Sequence, residues 1–170
     1  NKKIDKRDVI VGISASGKTP FVLAAVEYAS KQGAATIGLA CNYSSLLTDC
    51  VDVGILISVG AEVLADSTRL KAGTAQKMVL NMLSTATMIL MGKVYQNRMV
   101  DLQVNNKKLL KRALEMVTDL GEISSETAYK LLTESGNHVK TAVVMAKLDI
   151  NAKEAKQRLR TVDGKLNEII

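Results

Sequence analysis

The first sixty positions contain three short apolar runs, and the segment joining the first two carries apolar residues every three or four positions. Residues 8–13, built on Val9-Ile10-Val11, read as a buried parallel strand. Pro20 to Gln32 has helical periodicity, with Pro at the first helical position, where its missing N–H would lack a partner anyway, and Gly33 to close it. Ala34 to Ala40 is the second apolar run and residues 53–58 are the third. The pattern predicts a strand, a crossover helix and a parallel strand, followed by a third short strand.

Thr68 to Met91 predicts a long helix. Its apolar residues, Leu70, Ala72, Ala75, Met78, Val79, Leu80, Met82, Leu83 and Met88, occupy more than one face. Such a helix must be covered on several sides, so we expect it central to the core or shared with a second subunit, with its methionines packed. Three parallel strands are too few to leave both faces of a sheet buried, so preceding strands and helices of the same domain are expected outside this sequence. The chain lacks an initial Met and enters its first strand within a few residues, as a piece of a longer protein would.

After a loop from Lys93 to Asp101 the pattern changes to short helices at about 105–120, 125–134, 138–148 and 152–161. Ser124 and Asn137 read as N-caps, Asn151 with Glu154 as a capping box, and Gly121, Gly136 and Gly164 as closing residues. We expect one domain over 1–121 and a small helical module over 122–170.

Composition narrows the classes. A chain of 170 residues can bury one core plus a small appendage, and 47% hydrophobic content argues against disorder. The net charge of +6 is spread along the chain and interleaved with acids, and the densest run, Lys107 to Arg112, reads as the solvated face of a helix. Without aromatic interleaving or a recognised motif, no nucleic-acid partner is expected; the mild positive field suits an anionic small substrate. Cys41 and Cys50 with one histidine give no zinc-type spacing, so free thiols and no metal are expected. The most apolar stretch, Met78 to Met91, is interrupted by Asn81, Ser84, Thr85 and Thr87, and no leader precedes the first strand. The expectation is a cytoplasmic protein without membrane contact.

Gly12-Ile13-Ser14-Ala15-Ser16-Gly17-Lys18-Thr19-Pro20 packs glycines and hydroxyls where a strand becomes a helix. A helix N-terminus offers unpaired N–H groups and the positive end of the backbone dipole, and added hydroxyls surround an anion with donors. Gly12 to Thr19 also satisfies the nucleotide pattern G-x-x-x-x-G-K-[ST]. Against it, Pro20 removes a backbone donor, and the third strand runs into Ser58-Val59-Gly60 rather than an Asp placed for Mg²⁺. The serines suit a hydroxyl cradle better than an amide one.

With those residues, Gly60-Ala61-Glu62-Val63-Leu64, Ser67 to Leu83, Gly92-Lys93-Val94-Tyr95 and Met99-Val100-Asp101 give the chain a resemblance to the N-acetylmuramic acid 6-phosphate etherase family through most of 8–103. The resemblance implies an α/β domain of sugar isomerase (SIS) type: a flavodoxin-like parallel sheet, here its C-terminal half, followed by a small all-α ubiquitin-associated-like module. It implies a bacterial cytoplasmic homodimer that cleaves the lactyl ether of N-acetylmuramic acid 6-phosphate in cell-wall amino-sugar recycling, without metal or organic cofactor. It also implies that the acid/base glutamates and a first phosphate loop stand upstream of this sequence. Family members usually carry Arg where this chain has Lys18, which keeps the charge and loses a bidentate donor. The alternative of the same domain type is a non-catalytic sugar-phosphate-binding regulator resembling glucokinase regulatory protein.

The phosphate and sugar ligands expected on this reading are Ser14, Ser16, Gly17, Lys18, Thr19, Glu62, Ser67, Thr68, Arg69 and Lys71. Glu62 is also a candidate helper in proton transfer. The structural alternatives are serine capping of the first helix, a capping or solvent-facing role for Glu62, and a cap for the long helix from Ser67 or Thr68. Gly73 would permit close backbone approach in that helix, and His138 reads as structural.

Overall fold

Gly12, Gly38 and Gly54 lie side by side in register across three parallel strands, β1 (Val9–Ile13), β2 (Ala35–Ala40) and β3 (Val53–Leu56), ordered β1-β2-β3. The row lets two helices, α1 (Pro20–Lys31) and α2 (Leu46–Asp49), approach the sheet closely. A Cβ on Gly12 would stand 2.7 Å from Val26 Cγ1, one on Gly38 2.9 Å from the Leu47 carbonyl oxygen, and one on Gly54 2.6 Å from that of Thr48. Val26, Ala29, Ala40 and Leu47 are buried in this layer. The computed structural model describes residues 3–170, so the first two positions of the first expected domain lie outside the described residues.

The opposite face of the sheet is covered only in part, at Leu39, which is fully buried there. Val9, Val11, Ile13 and Val53 are 38–57% exposed, whereas a parallel sheet normally has both faces covered. At its N-terminal edge the strands are tied by Asp52. The Thr36 N–H and hydroxyl donate to Asp52 Oδ2 at 2.7 and 2.8 Å, and the Asp52 N–H donates to Thr36 Oγ1 at 3.1 Å.

The long helix α3 (Lys71–Leu90) starts three residues later than its pattern predicts. Ala72 is its buried residue, while Met78 and Met82 are 54% and 61% exposed. The expectation of a central helix with packed methionines therefore fails within this chain, because residues 3–170 do not supply the surfaces its apolar faces need. Gly73 meets only the Thr68 carbonyl oxygen at 3.5 Å, an ordinary contact, so no close approach requires it.

The chain forms two compact units that divide within α3, after Leu83. In the second, the expected loop 93–101 contains an antiparallel pair, β4 (Val94–Tyr95) and β5 (Arg98–Met99). Helices α4 (Lys107–Gly121), α5 (Ser125–Glu134), α6 (Val139–Leu148) and α7 (Ala152–Thr161) follow close to their predicted places. Met116, Val117, Leu132, Val143, Val144 and Leu166 form their common core. Residue 121, where the first expected domain ends, lies inside this unit, since α4 packs against α5 and α6.

Ser124 and Asn151 cap α5 and α7 through their side chains. Asn137 does not cap α6: it adopts φ 64°, and the His138 N–H donates to Ser135 Oγ instead. Gly121 remains helical, and Glu122 takes the left-handed position that closes α4. Lys140 Nζ, largely buried, donates to the carbonyls of Gly164 at 3.1 Å and Gly92 at 3.4 Å and faces Asp101 at 3.7 Å, binding the ends of α3 and α7 to α6. No helix among the described residues is long and apolar enough to cross a membrane.

Two outcomes follow from the sheet. Gly54→Ala, whose Cβ meets an immovable backbone carbonyl, is expected to lower stability by roughly 1–3 kcal/mol, read by denaturant titration. The Thr36 hydroxyl first, and its amide next, hold the Asp52 carboxyl below its ordinary pKa. A folded-state pKa below the unfolded value stabilises above the unfolded pKa, and that contribution is lost as pH falls through the folded one. Asp52→Ala should therefore lower the thermal midpoint at neutral pH, with the gap from wild type closing as pH drops below the carboxylate range.

Candidate functional site

The loop from Ser14 to Thr19 leaves the C-terminal end of β1, where parallel sheets place their ligands. Ser14 is buried, and its hydroxyl accepts the Gly17 N–H at 3.1 Å and meets the Thr19 hydroxyl at 2.8 Å and that of Ser16 at 3.4 Å. Ser16 also accepts the Lys18 N–H at 3.3 Å. The five predicted loop residues are thus brought together, with Ser14 inside the turn and Ser16, Lys18 and Thr19 exposed.

Thr19 occupies the N-cap position of α1 without a side-chain cap bond, and Pro20 begins the helix. The capping alternative is therefore not the arrangement seen. Helix N-terminal amides and nearby hydroxyls are the kind of donors an anion takes, and the Ser16 and Thr19 hydroxyls stand at the start of α1.

Gly17 shapes this cradle. It has φ +69°, and a Cβ there would collide with Ser45, whose Cα would be 2.8 Å away. Ser45 is buried because its own hydroxyl caps α2, accepting the Thr48 N–H at 3.1 Å. The Leu47 N–H donates to the Gly17 carbonyl at 3.0 Å, and the Cys41 N–H to that of Ala15 at 2.9 Å, so the loops after β1 and β2 are laced together.

Beside the cradle is a cavity of about 400 Å³, lined on one side by Ala15 and Ser16, below by Cys41 and Asn42, and on the far side by Gly60, Glu62, Asp66, Thr68 and Ala72. Of the residues expected around the long helix, Glu62 and Thr68 line it; Ser67, Arg69 and Lys71 do not. Cys41 and Asn42 escaped the sequence reading, although their place directly after β2 is the signal that could have found them.

Glu62 caps α3, the structural alternative offered for it. Its carboxylate accepts the Lys71 N–H at 3.0 Å and the Ala72 N–H at 2.9 Å, in place of a cap from Ser67 or Thr68. The Ala72 amide foremost, then the amide and charge of Lys71, hold the carboxyl below its usual pKa against partial desolvation. Cys41 Sγ lies 3.8 Å from the Ala72 carbonyl oxygen, and desolvation together with the Glu62 charge pushes its thiol pKa up. Glu62 is therefore an ionised group at neutral pH with both oxygens engaged, and Cys41 a protonated thiol.

A second cavity of about 400 Å³ lies in the helical unit, but its charged residues are paired with one another, Arg98 with Asp119 and Lys147 with Glu122, each at 2.7 Å. Among the described residues no cluster of His, Cys, Asp and Glu could hold a metal ion.

A model of the SIS domain matches residues 1–86, and one of the C-terminal lid domain of glucokinase regulatory protein matches 96–138. The chain is 46% identical over 167 residues to N-acetylmuramic acid 6-phosphate etherase 1 of Bacillus licheniformis, covering 98% of this chain and 55% of that protein. It is 48% identical over 161 residues to the N-acetylmuramic acid 6-phosphate etherase of Geobacillus thermodenitrificans, covering 95% and 55%. With that of Vibrio campbellii it shares 46% over 168 residues, covering 99% and 54%. The chain spans about half the length of the curated relatives it matches.

Gly17→Ala should open the contact between the two loops, costing roughly 1–3 kcal/mol of stability, read by a denaturation curve.

Proposed function

Because the chain belongs to the SIS-domain family, we propose that it is the sugar-phosphate-binding part of an N-acetylmuramic acid 6-phosphate etherase. The observation that carries this reading is the 46–48% identity, over nearly the whole chain, to relatives bearing that name. The longer protein cleaves the lactyl ether of N-acetylmuramic acid 6-phosphate, giving N-acetylglucosamine 6-phosphate and D-lactate.

On this reading the Ser16 and Thr19 hydroxyls, the loop amides and the Lys18 charge hold the phosphate, while Glu62 and Thr68 face the sugar across the cavity. With the sugar ring open, a base removes the proton beside the carbonyl and the ether oxygen leaves as lactate, protonated by an acid. Water then adds to the unsaturated aldehyde. The acid/base pair belongs to the preceding half, and such groups each contribute roughly 10²–10⁴-fold, so residues 1–170 alone should not turn over substrate.

The same reading completes the sheet in a flavodoxin-like manner with upstream elements, gives the C-terminal helices a ubiquitin-associated-like character, and covers the apolar faces of α3 in a cytoplasmic homodimer. The match of 96–138 to the lid domain of glucokinase regulatory protein favours a second reading, a sugar-phosphate-binding regulator without catalysis.

The two readings part on one measurement. Incubating the longer protein with N-acetylmuramic acid 6-phosphate should release D-lactate; saturable binding of a sugar phosphate with no lactate would establish the regulator. In the active protein, Ser16→Ala removes a hydrogen bond to a charged group and should raise KM roughly tenfold. An unchanged KM would take Ser16 out of the site.

A further inference from the structure

N-Acetylmuramic acid 6-phosphate carries two anionic groups, the phosphate and the carboxylate of its lactyl ether, and the cradle accounts for one of them. The far wall of the cavity has no obvious place for the second. The first-turn amides of α3 at Lys71 and Ala72, which would otherwise attract an anion, already hold the Glu62 carboxylate at 3.0 and 2.9 Å. Glu62 and Asp66 also line that wall as acids, so a carboxylate entering it meets like charge.

Lys71 answers this charge problem. Its main chain is fixed by the Glu62 bond at the start of α3, and its Nζ lies over Gly60, 3.8 Å from where a Cβ would stand on that cavity-lining residue. Its ammonium, whose charge also reaches the Glu62 carboxylate, is exposed beside Gly60 and so can meet a further anion there. Gly60, lacking a side chain, leaves the path between ammonium and cavity open.

We infer that the Lys71 ammonium receives the lactyl carboxylate of the substrate, opposite the phosphate cradle, and so distinguishes the ether from its product, which keeps the phosphate and lacks that carboxylate. The inference rests on the etherase reading. Glu62 serves it as a positioning residue, setting the helix start from which Lys71 projects while occupying the amides that would compete for the carboxylate. Arg69, one residue beyond the cavity-lining Thr68, is the competing cation.

The test uses the longer, active protein with Lys71→Met, Lys71→Arg and Arg69→Met. It compares KM for N-acetylmuramic acid 6-phosphate with the inhibition constant of N-acetylglucosamine 6-phosphate. Loss of a charge-assisted contact should raise KM in Lys71→Met roughly tenfold or more. The inhibition constant should stay within about twofold, because the product makes no such contact. Lys71→Arg should keep most of the affinity for the ether.

A parallel rise in both constants would mean that Lys71 acts only through the helix start, and an effect confined to Arg69→Met would assign the carboxylate to Arg69; either overturns the inference. So does an unchanged KM in Lys71→Met with wild-type turnover intact, which leaves the etherase reading standing. Absence of lactate release by the wild-type protein overturns both.

Discussion

The close approach of α2 to the sheet governs the rest of the first unit. Leu47 is fully buried against the glycine row, and that depth is possible only because Gly12 and Gly38 present no side chain there. Seating α2 brings its capping residue Ser45 down onto Gly17, which in turn bends the Ser14–Thr19 loop into a cradle. A packing constraint within the sheet thus becomes the curvature of a loop at its C-terminal end. Loss of volume at three backbone positions is what lets two strand-end loops meet.

Charge is arranged with similar economy at the start of α3. A helix that begins with Lys71 and has no acidic residue in its first turn is unfavourable by its dipole alone. Glu62 supplies the missing negative group from outside the helix. The same bond closes residues 63–70 into a loop whose inner residues Ala65, Asp66 and Thr68 line the cavity. A single carboxylate therefore settles the helix start, the shape of the far wall and the local potential.

Local signals carried far in the sequence, and through-space ones did not. Pro20 marked the start of α1, and Ser124 and Asn151 marked α5 and α7, because each acts on amides within three residues of itself. The β4–β5 pair was hidden because its strands are two residues long and its turn uses Gln96 at φ 53° rather than a glycine. Asn137 looked like a cap but takes a left-handed position one residue before His138, the N-cap of α6, which makes no side-chain cap bond. The bond from Glu62 to the start of α3 spans nine and ten residues, outside the local capping patterns, so a cap by Glu62 stood only as one alternative among others. The hydroxyl loop itself was legible; that Ser14 faces inward, and that Cys41 and Asn42 floor the cavity, required the register of the strands.

The partly open sheet face has a practical bearing. Val9, Val11, Ile13 and Val53 make a water-facing aliphatic plane, and β1 and β3 flank it as edge strands that no further strand among the described residues pairs with. Flat, apolar edges of this kind recruit other chains. Residues 1–170 produced by themselves would stick to one another through this plane, so an assembly state measured on them would report adventitious clumping rather than physiological association.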